Sequence, residues 1–156
     1  MTDRDLEQAY GNVEQQLAIL LRRARSWSQD VARSLHPDLT AASYALLARL
    51  LDCGPSRAVD LSAYFGIDKG AVSRQLRLLE DLGFVTREAD PDDGRAQQLV
   101  LTEQGRSRLT EVRSARREKV RIELGQWQVE DVHELGTLLA RLNEAQLAAL
   151  GAPQTG

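Results

Sequence analysis

A chain of 156 residues is long enough for a single domain with a proper core, and 42% hydrophobic residues with only 4% aromatics favour a helical protein carrying one small sheet. The formal net charge of −3 argues against a uniformly basic nucleic-acid binder, so any contact with DNA must come from a local patch. One cysteine and two histidines exclude a zinc-ligand cluster, and the lack of an apolar run of roughly 18 residues excludes a transmembrane helix.

The N-terminal MTDRDLEQAY lacks the basic start and hydrophobic region of a signal peptide, which predicts a cytoplasmic protein. Leu17, Leu20, Leu21, Ala24, Trp27, Val31 and Leu35 recur every three to four residues, so a long first helix covers about 5–36 and ends at His36-Pro37. Thr40 caps a second helix, from about Ala41 to Asp52, with Leu46, Leu47, Leu50 and Leu51 inward; Gly54-Pro55 stops it. Arg57 to Phe65 forms a short supporting helix, with Leu61, Phe65 and Ile67 packing under the helix that follows. The backbone amides near Ser56 and Arg57 can touch a phosphate.

The next helix starts at Asp68, whose carboxylate can accept from the free amides of the first turn, and ends at Leu82-Gly83-Phe84, with Gly83 placed for a left-handed cap. At about 100° per residue, Lys69, Gly70, Ser73, Arg74 and Arg77 fall within one arc of roughly 140°. Ala71, Val72, Leu76, Leu78, Leu79 and Leu82 form the apolar remainder. The polar arc suits a major groove: Gly70 and Ser73 let the backbone approach base edges, and Arg74 and Arg77 can act as bidentate donors to guanine edges or phosphates. Glu80 and Asp81 lie near the same arc, which confines contact to the N-terminal half of the helix.

A hairpin follows directly. Phe84 to Glu88 reads as a strand, Asp90-Pro91-Asp92-Asp93-Gly94 as a polar tip, and Gln97 to Thr102 as the returning strand. Arg95 stands just past the tip beside Asp92 and Asp93, and an Asp two residues before an Arg can orient its guanidinium by a charge-assisted hydrogen bond; an arginine so held could enter a minor groove, the alternative being a surface Asp and Arg pair worth almost nothing in stability. Beyond the hairpin, Glu103 to Leu124 carries Leu109, Val112, Ala115, Val120 and Leu124 on one side. Its arginines, Arg106 to Arg121, are interleaved with Glu111, Glu118 and Glu123, the pattern of a solvated, ion-paired face. After Gly125 a last helix, about Val129 to Leu150, repeats Val132, Leu135, Leu138, Leu139, Leu142 and Leu147. The first and last two helices are more apolar than a small DNA-binding part needs, so the excess should meet a second subunit. Ala152 to Gly156 is expected to be a frayed tail.

From about Ala41 to Gly105 the chain resembles the MarR family of bacterial winged-helix transcriptional regulators. The resemblance rests jointly on Asp68-Lys-Gly-Ala-Val-Ser-Arg74, on Leu79-Glu-Asp-Leu-Gly-Phe-Val85, and on Asp90-Pro-Asp-Asp-Gly-Arg95 ahead of Leu101-Thr-Glu-Gln-Gly105. It implies a mainly α fold with a small β-hairpin wing: a winged helix-turn-helix over about 38–105, and a helical dimerisation region from both chain ends, about 5–36 and 106–150, within one domain. It also implies a homodimer whose two winged helices read a pseudo-palindromic operator in double-stranded DNA, with Arg95 in the minor groove and Asp93 orienting it. Lys69-Gly70 departs from the proline or serine that many relatives carry near the helix start, which bears on base preference.

No Gly-rich phosphate loop or hydrolase elbow is present, so neither an enzyme nor a cofactor is expected. Cys53 is expected to be a buried structural thiol, since peroxide-sensing relatives of the resembled family carry theirs near the start of the first helix and this one ends the second. His36 and His133 are expected to serve as local caps or surface residues. Many members of the resembled family release DNA when a small aromatic acid binds between the dimer region and the winged helix. Trp27, Arg33, His36, Tyr44 and Arg49 are the candidates here for stacking and carboxylate pairing, although core packing is the first expectation for Trp27 and Tyr44. The alternative function is a winged-helix protein-interaction module without DNA binding; basic side chains on both helix and wing favour DNA.

Overall fold

In the computed structural model, which describes residues 2–151 and side chains as far as Ala145, the chain falls into two compact units that divide after Arg113. The side chain of Leu147 and the expected tail, Ala152–Gly156, lie outside the described residues.

The first unit opens with helix α1 (Asp3–Leu35). Its capping box pairs the Thr2 amide with the Asp5 carboxylate at 2.9 Å and the Asp5 amide with the Thr2 hydroxyl at 3.3 Å. Val31, Ala32 and Leu35 bury the last turns of α1 against helix α2 (Ala41–Cys53). A second box, Thr40 with Ser43, starts α2, and Gly54, at φ +79°, ends it. Ser56 and Arg57, expected to open or abut the supporting helix, instead form a two-residue strand, β1, and helix α3 spans Ala58–Phe65. Two residues are too few to show alternation, and the partner strand lies far along the chain. Leu61 is buried and Phe65 half-buried, but Ile67 is 40% exposed, against the expectation that it packs beneath the next helix. It stands in the turn after left-handed Gly66, where the Ser62 hydroxyl donates to its carbonyl at 2.6 Å, so its backbone is held and its side chain is not fully enclosed.

Helix α4 (Lys69–Asp81) turns Val72, Leu76 and Leu79 inward. Gly83, at φ +74°, lets the Phe84 and Gly83 amides reach back to the Leu79 and Glu80 carbonyls at 2.9 Å each, which closes the helix as its sequence requires. Strands β2 (Val85–Ala89) and β3 (Gln97–Leu101) then pair antiparallel, with Val85 opposite Leu101 and Ala89 opposite Gln97. Ser56 and Arg57 pair with Leu99 and Gln98, so the sheet order is β1-β3-β2, with the returning strand central. Leu46, Leu47 and Leu50 of α2 meet Leu61, Leu76, Leu79, Phe84, Leu99 and Leu109 in one core. Thr102 caps helix α5 (Glu103–Leu124) and fastens it to the end of α4: its hydroxyl donates to the Gly83 carbonyl at 2.6 Å and accepts from the Gly105 amide at 3.0 Å. Cys53, expected to be buried, is exposed. It shares the inward phase of Leu46 and Leu50 but occupies the last position of α2, next to the turn at Gly54.

The second unit holds the last part of α5 and helix α6 (Val129–Gly151). The expected ion-paired face of α5 is present there, with Arg121 3.8 Å from Glu118 and Lys119 3.9 Å from Glu123. Val120, Ile122, Trp127, Leu138 and Leu139 are exposed, while Val132, Leu135 and Leu142 are half-buried. Among the described residues no helix is long and apolar enough to cross a membrane.

Candidate nucleic-acid interface

Helices α3 and α4 and the wing bring the expected contact residues to the surface. Lys69, Gly70, Ser73, Arg74 and Arg77 are all exposed on α4, opposite the side that buries Val72, Leu76 and Leu79. Asp68 is the N-cap as expected, its Oδ1 accepting from the Ala71 amide at 3.1 Å. A β-carbon at position 70 would lie 2.9 Å from that same oxygen, so glycine there spares the cap as well as leaving the helix start bare. The acids expected to limit contact along α4 behave differently: Asp81 is exposed, whereas Glu80 is half-buried and accepts from Nε of Arg87 on β2 at 2.8 Å. Arg87 was not singled out by the sequence reading, because the pairing joins a helix to the strand after it and has no fixed spacing.

Several cations are already neutralised within the chain. Arg57 pairs with Asp90 at 2.7 Å, Arg87 with Glu80, and Arg113 with Asp52 at 2.7 Å. Lys69, Arg74, Arg77 and Arg95 have no anionic side chain within pairing distance among the described residues. The start and middle of α4 and the wing tip therefore each present positive charge open to a phosphate backbone, despite the negative total.

At the tip the structure departs in detail from the sequence expectation. Asp93 Oδ1 accepts from the backbone amide of Arg95 at 3.1 Å, so its hold on Arg95 runs through the main chain and the guanidinium is left unengaged. The strongly bound carboxylate is Asp90, which is buried: Oδ2 takes Arg57 Nε, and Oδ1 takes the amides of Asp92 at 2.8 Å and Asp93 at 3.2 Å. These contacts hold the Asp90 carboxyl below the usual carboxylate range, the Arg57 hydrogen bond contributing most. Arg57, expected to meet a phosphate through its backbone amide, thus has its guanidinium tied into the wing. Asp90 carried a sequence signal as the first acid of the tip, but its partner thirty-three positions earlier carried none.

Of the effector candidates, Trp27 and Tyr44 are brought together: they meet edge to face at 5.8 Å and pack against the core, as their first expectation held. Arg49 lies over the Tyr64 ring at 3.9 Å, and His36 caps α1 and accepts from the Asp38 amide at 3.3 Å, while Arg33 is exposed. A cavity of about 150 Å³ opens between α2, α3 and α4, beside Phe65, Arg74 and Gln75, and none of the five lines it. Among the described residues no group of three His, Cys, Asp or Glu side chains could hold a metal ion.

Residues 38–96 match the model of the MarR family. The chain is 32% identical over 133 residues to an uncharacterised HTH-type transcriptional regulator of Bacillus subtilis, YxaD, covering 85% of this chain and 92% of that one. Two solved structures share the fold. A MarR family protein from Bacillus stearothermophilus superposes with a TM-score of 0.79 at 18% identity, over 90% of this chain and 97% of the other. A MarR transcriptional regulator from Methanosarcina mazei gives 0.74 at 22% identity, over 89% and 99%.

Proposed function

The chain belongs to the MarR family of transcriptional regulators, and from that premise we propose that it is a cytoplasmic homodimeric repressor that reads a pseudo-palindromic operator and releases it on binding a small aromatic acid. The winged helix-turn-helix over about 38–105 makes the DNA contacts, and the helical parts over about 5–36 and 106–150 join two copies. The observation that supports this reading best is the set of exposed cations without an anionic partner, Lys69, Arg74 and Arg77 on α4 and Arg95 on the wing, while Arg57 and Arg87 are paired with Asp90 and Glu80. A protein-association module would have no use for charge left open at these two places. In the proposed complex the start of α4 enters the major groove, Arg74 and Arg77 contact base edges or phosphates, Gly70 and Ser73 allow close approach, and Arg95 enters the adjoining minor groove. The helix-start backbone at Arg57 and the Asp68 cap flank the phosphates.

Fluorescence anisotropy with the chain's own upstream intergenic DNA, run across salt concentrations beside unrelated DNA, tests the reading. Arg74→Ala is expected to weaken binding by about 1–3 kcal/mol if it reads a base, and Lys69→Ala to reduce the salt slope by about one unit if it meets a phosphate. Arg95→Ala should weaken the native fragment selectively. Equal weak binding of both DNAs, unchanged by these substitutions, would favour the protein-association reading. Phenolic acids titrated into the preformed complex test the effector, whose candidates remain Trp27, Arg33, His36, Tyr44 and Arg49; absence of release would remove that part.

A further inference from the structure

Resting on the DNA reading above, we propose that Arg57 is a positioning residue for the minor-groove contact: through Asp90 it fixes the wing tip, and with it Arg95, relative to the helix-turn-helix.

The geometry makes one carboxylate the junction of three segments. Asp90 begins the turn between β2 and β3, and its Oδ1 accepts from the amides of Asp92 and Asp93, which folds the first half of the tip. The Asp93 carbonyl and carboxylate then accept from the amides of Ala96 and Arg95, which folds the second half. Strand pairing seats the base of the tip, where the Asp90 amide donates to the Ala96 carbonyl at 3.0 Å. The side-chain tie from the tip to β1 is Asp90 Oδ2, which takes Arg57 Nε at 2.7 Å and so holds the carboxylate on which the first half of the tip is folded.

Arg57 is well chosen as the anchor. It belongs to β1, whose backbone is paired with β3, and it is also the N-cap residue of α3, the first helix of the helix-turn-helix. Its side chain is only partly exposed and Asp90 is buried, so the pair is shielded from competing solvent on one side. Arg57 and Asp90 thus connect the wing tip to the element that carries α4. A minor-groove arginine must reach its groove while α4 occupies the neighbouring major groove, so the distance between tip and helix decides whether both contacts form together. Ordering the tip before binding removes that cost from the association step. The same commitment explains why Arg57, though near the proposed DNA surface, need not touch DNA: its charge is already paired with the Asp90 carboxylate.

A double-mutant cycle on Arg57→Gln and Arg95→Ala, with the intergenic fragment that the wild type binds, separates positioning from contact. Arg57→Gln is expected to weaken binding by about tenfold in the wild-type background, the size of one ordered side-chain contact, and by less than about twofold when Arg95 is already alanine. Arg57→Lys should recover part of the loss. A fall of equal size in both backgrounds would show that Arg57 meets the DNA itself, and no fall in either would show that the tip needs no anchor; both overturn the proposal. Amide hydrogen exchange of the free protein supplies the second readout: the Asp92, Asp93 and Ala96 amides are expected to exchange faster in Arg57→Gln and in Asp90→Asn, while the amides of α2 and α4 keep their protection. Unchanged tip exchange would overturn the proposal even if DNA binding fell. A wild-type chain that bound no DNA would sink the operator reading instead, and the exchange data would still decide whether Arg57 holds the wing.

Discussion

Both oxygens of the Asp90 carboxylate are committed in the folded chain, one to Arg57 and the other to two backbone amides, and every one of these partners favours the charged form. Burial opposes them and is outweighed. In the unfolded chain the same carboxyl titrates near 3.9, about the ordinary value for aspartate. A folded value held below the unfolded one means that the stabilisation is present in full above the unfolded value and is lost as pH falls through the folded one. Arg57 stays protonated throughout; Asp93 and Asp60 also lie near it and add to its positive form. The urea midpoint of the wild type should therefore drop more steeply than that of Asp90→Asn between about pH 5 and pH 2, and the gap between them should close toward the acid end. Parallel curves would mean that the Asp90 contacts contribute nothing measurable. At this scale the sequence was legible only locally: Asp93 and Arg95 stand two apart and invited pairing, whereas the Arg57 and Asp90 pair joins positions that only the folded sheet brings together.

Among elements, the docking of α5 on the end of α4 depends on one residue without a side chain. Gly105 is buried in the first turn of α5, and a β-carbon built there overlaps the Phe84 carbonyl oxygen and lies 3.0 Å from the carbonyl carbon. The obstacle is backbone, held in place by the Schellman cap at Gly83 and by the Thr102 hydroxyl, so it cannot rotate aside as a side-chain end would. Gly105→Ala is expected to cost about 2–3 kcal/mol and to lower the melting temperature by roughly 4–12 °C. A variant melting within a degree of wild type would show that α5 can slide off Phe84 freely. The Leu101-Thr-Glu-Gln-Gly105 segment was visible in the sequence as part of a family pattern, but the reason for its threonine and glycine is a contact with a turn some way upstream. Longer elements were easier to read. Periodicity and caps gave α2, α4 and α5 nearly to the residue, because a helix writes its own boundaries into adjacent positions; β1, two residues long, writes nothing.

For the whole molecule, a net charge of −3 and the open cations of α4 and the wing are compatible because a formal sum does not say where charges stand, and Glu80 on α4 is taken up by Arg87 of the wing. Apolar residues tell a complementary story. In the first unit the forward part of α1 exposes Tyr10, Val13, Leu20 and Leu21, and in the second unit Val120, Ile122, Trp127 and Leu138 are exposed. Leu20 and Leu21 continue the repeat that Val31 and Leu35 complete in the core, so periodicity alone read them as one face and could not say that part of it awaits a partner. A solitary soluble chain rarely leaves so much large apolar surface open. On the proposed reading a second copy covers it. Wild type should sediment at about twice its 17.3 kDa, whereas Leu21→Glu and Ile122→Glu, at sites 67% and 71% exposed, should leave helix content intact and shift the chain toward monomer. The operator consequence follows from geometry: two recognition helices must enter major grooves about 34 Å apart, and a monomer brings one. Binding by the substituted chains should thus fall toward the non-specific level, about a thousandfold or more weaker, in step with the loss of dimer. A wild type that sedimented as a monomer at micromolar concentration and still bound its operator tightly would sink the dimer and, with it, the pseudo-palindromic site.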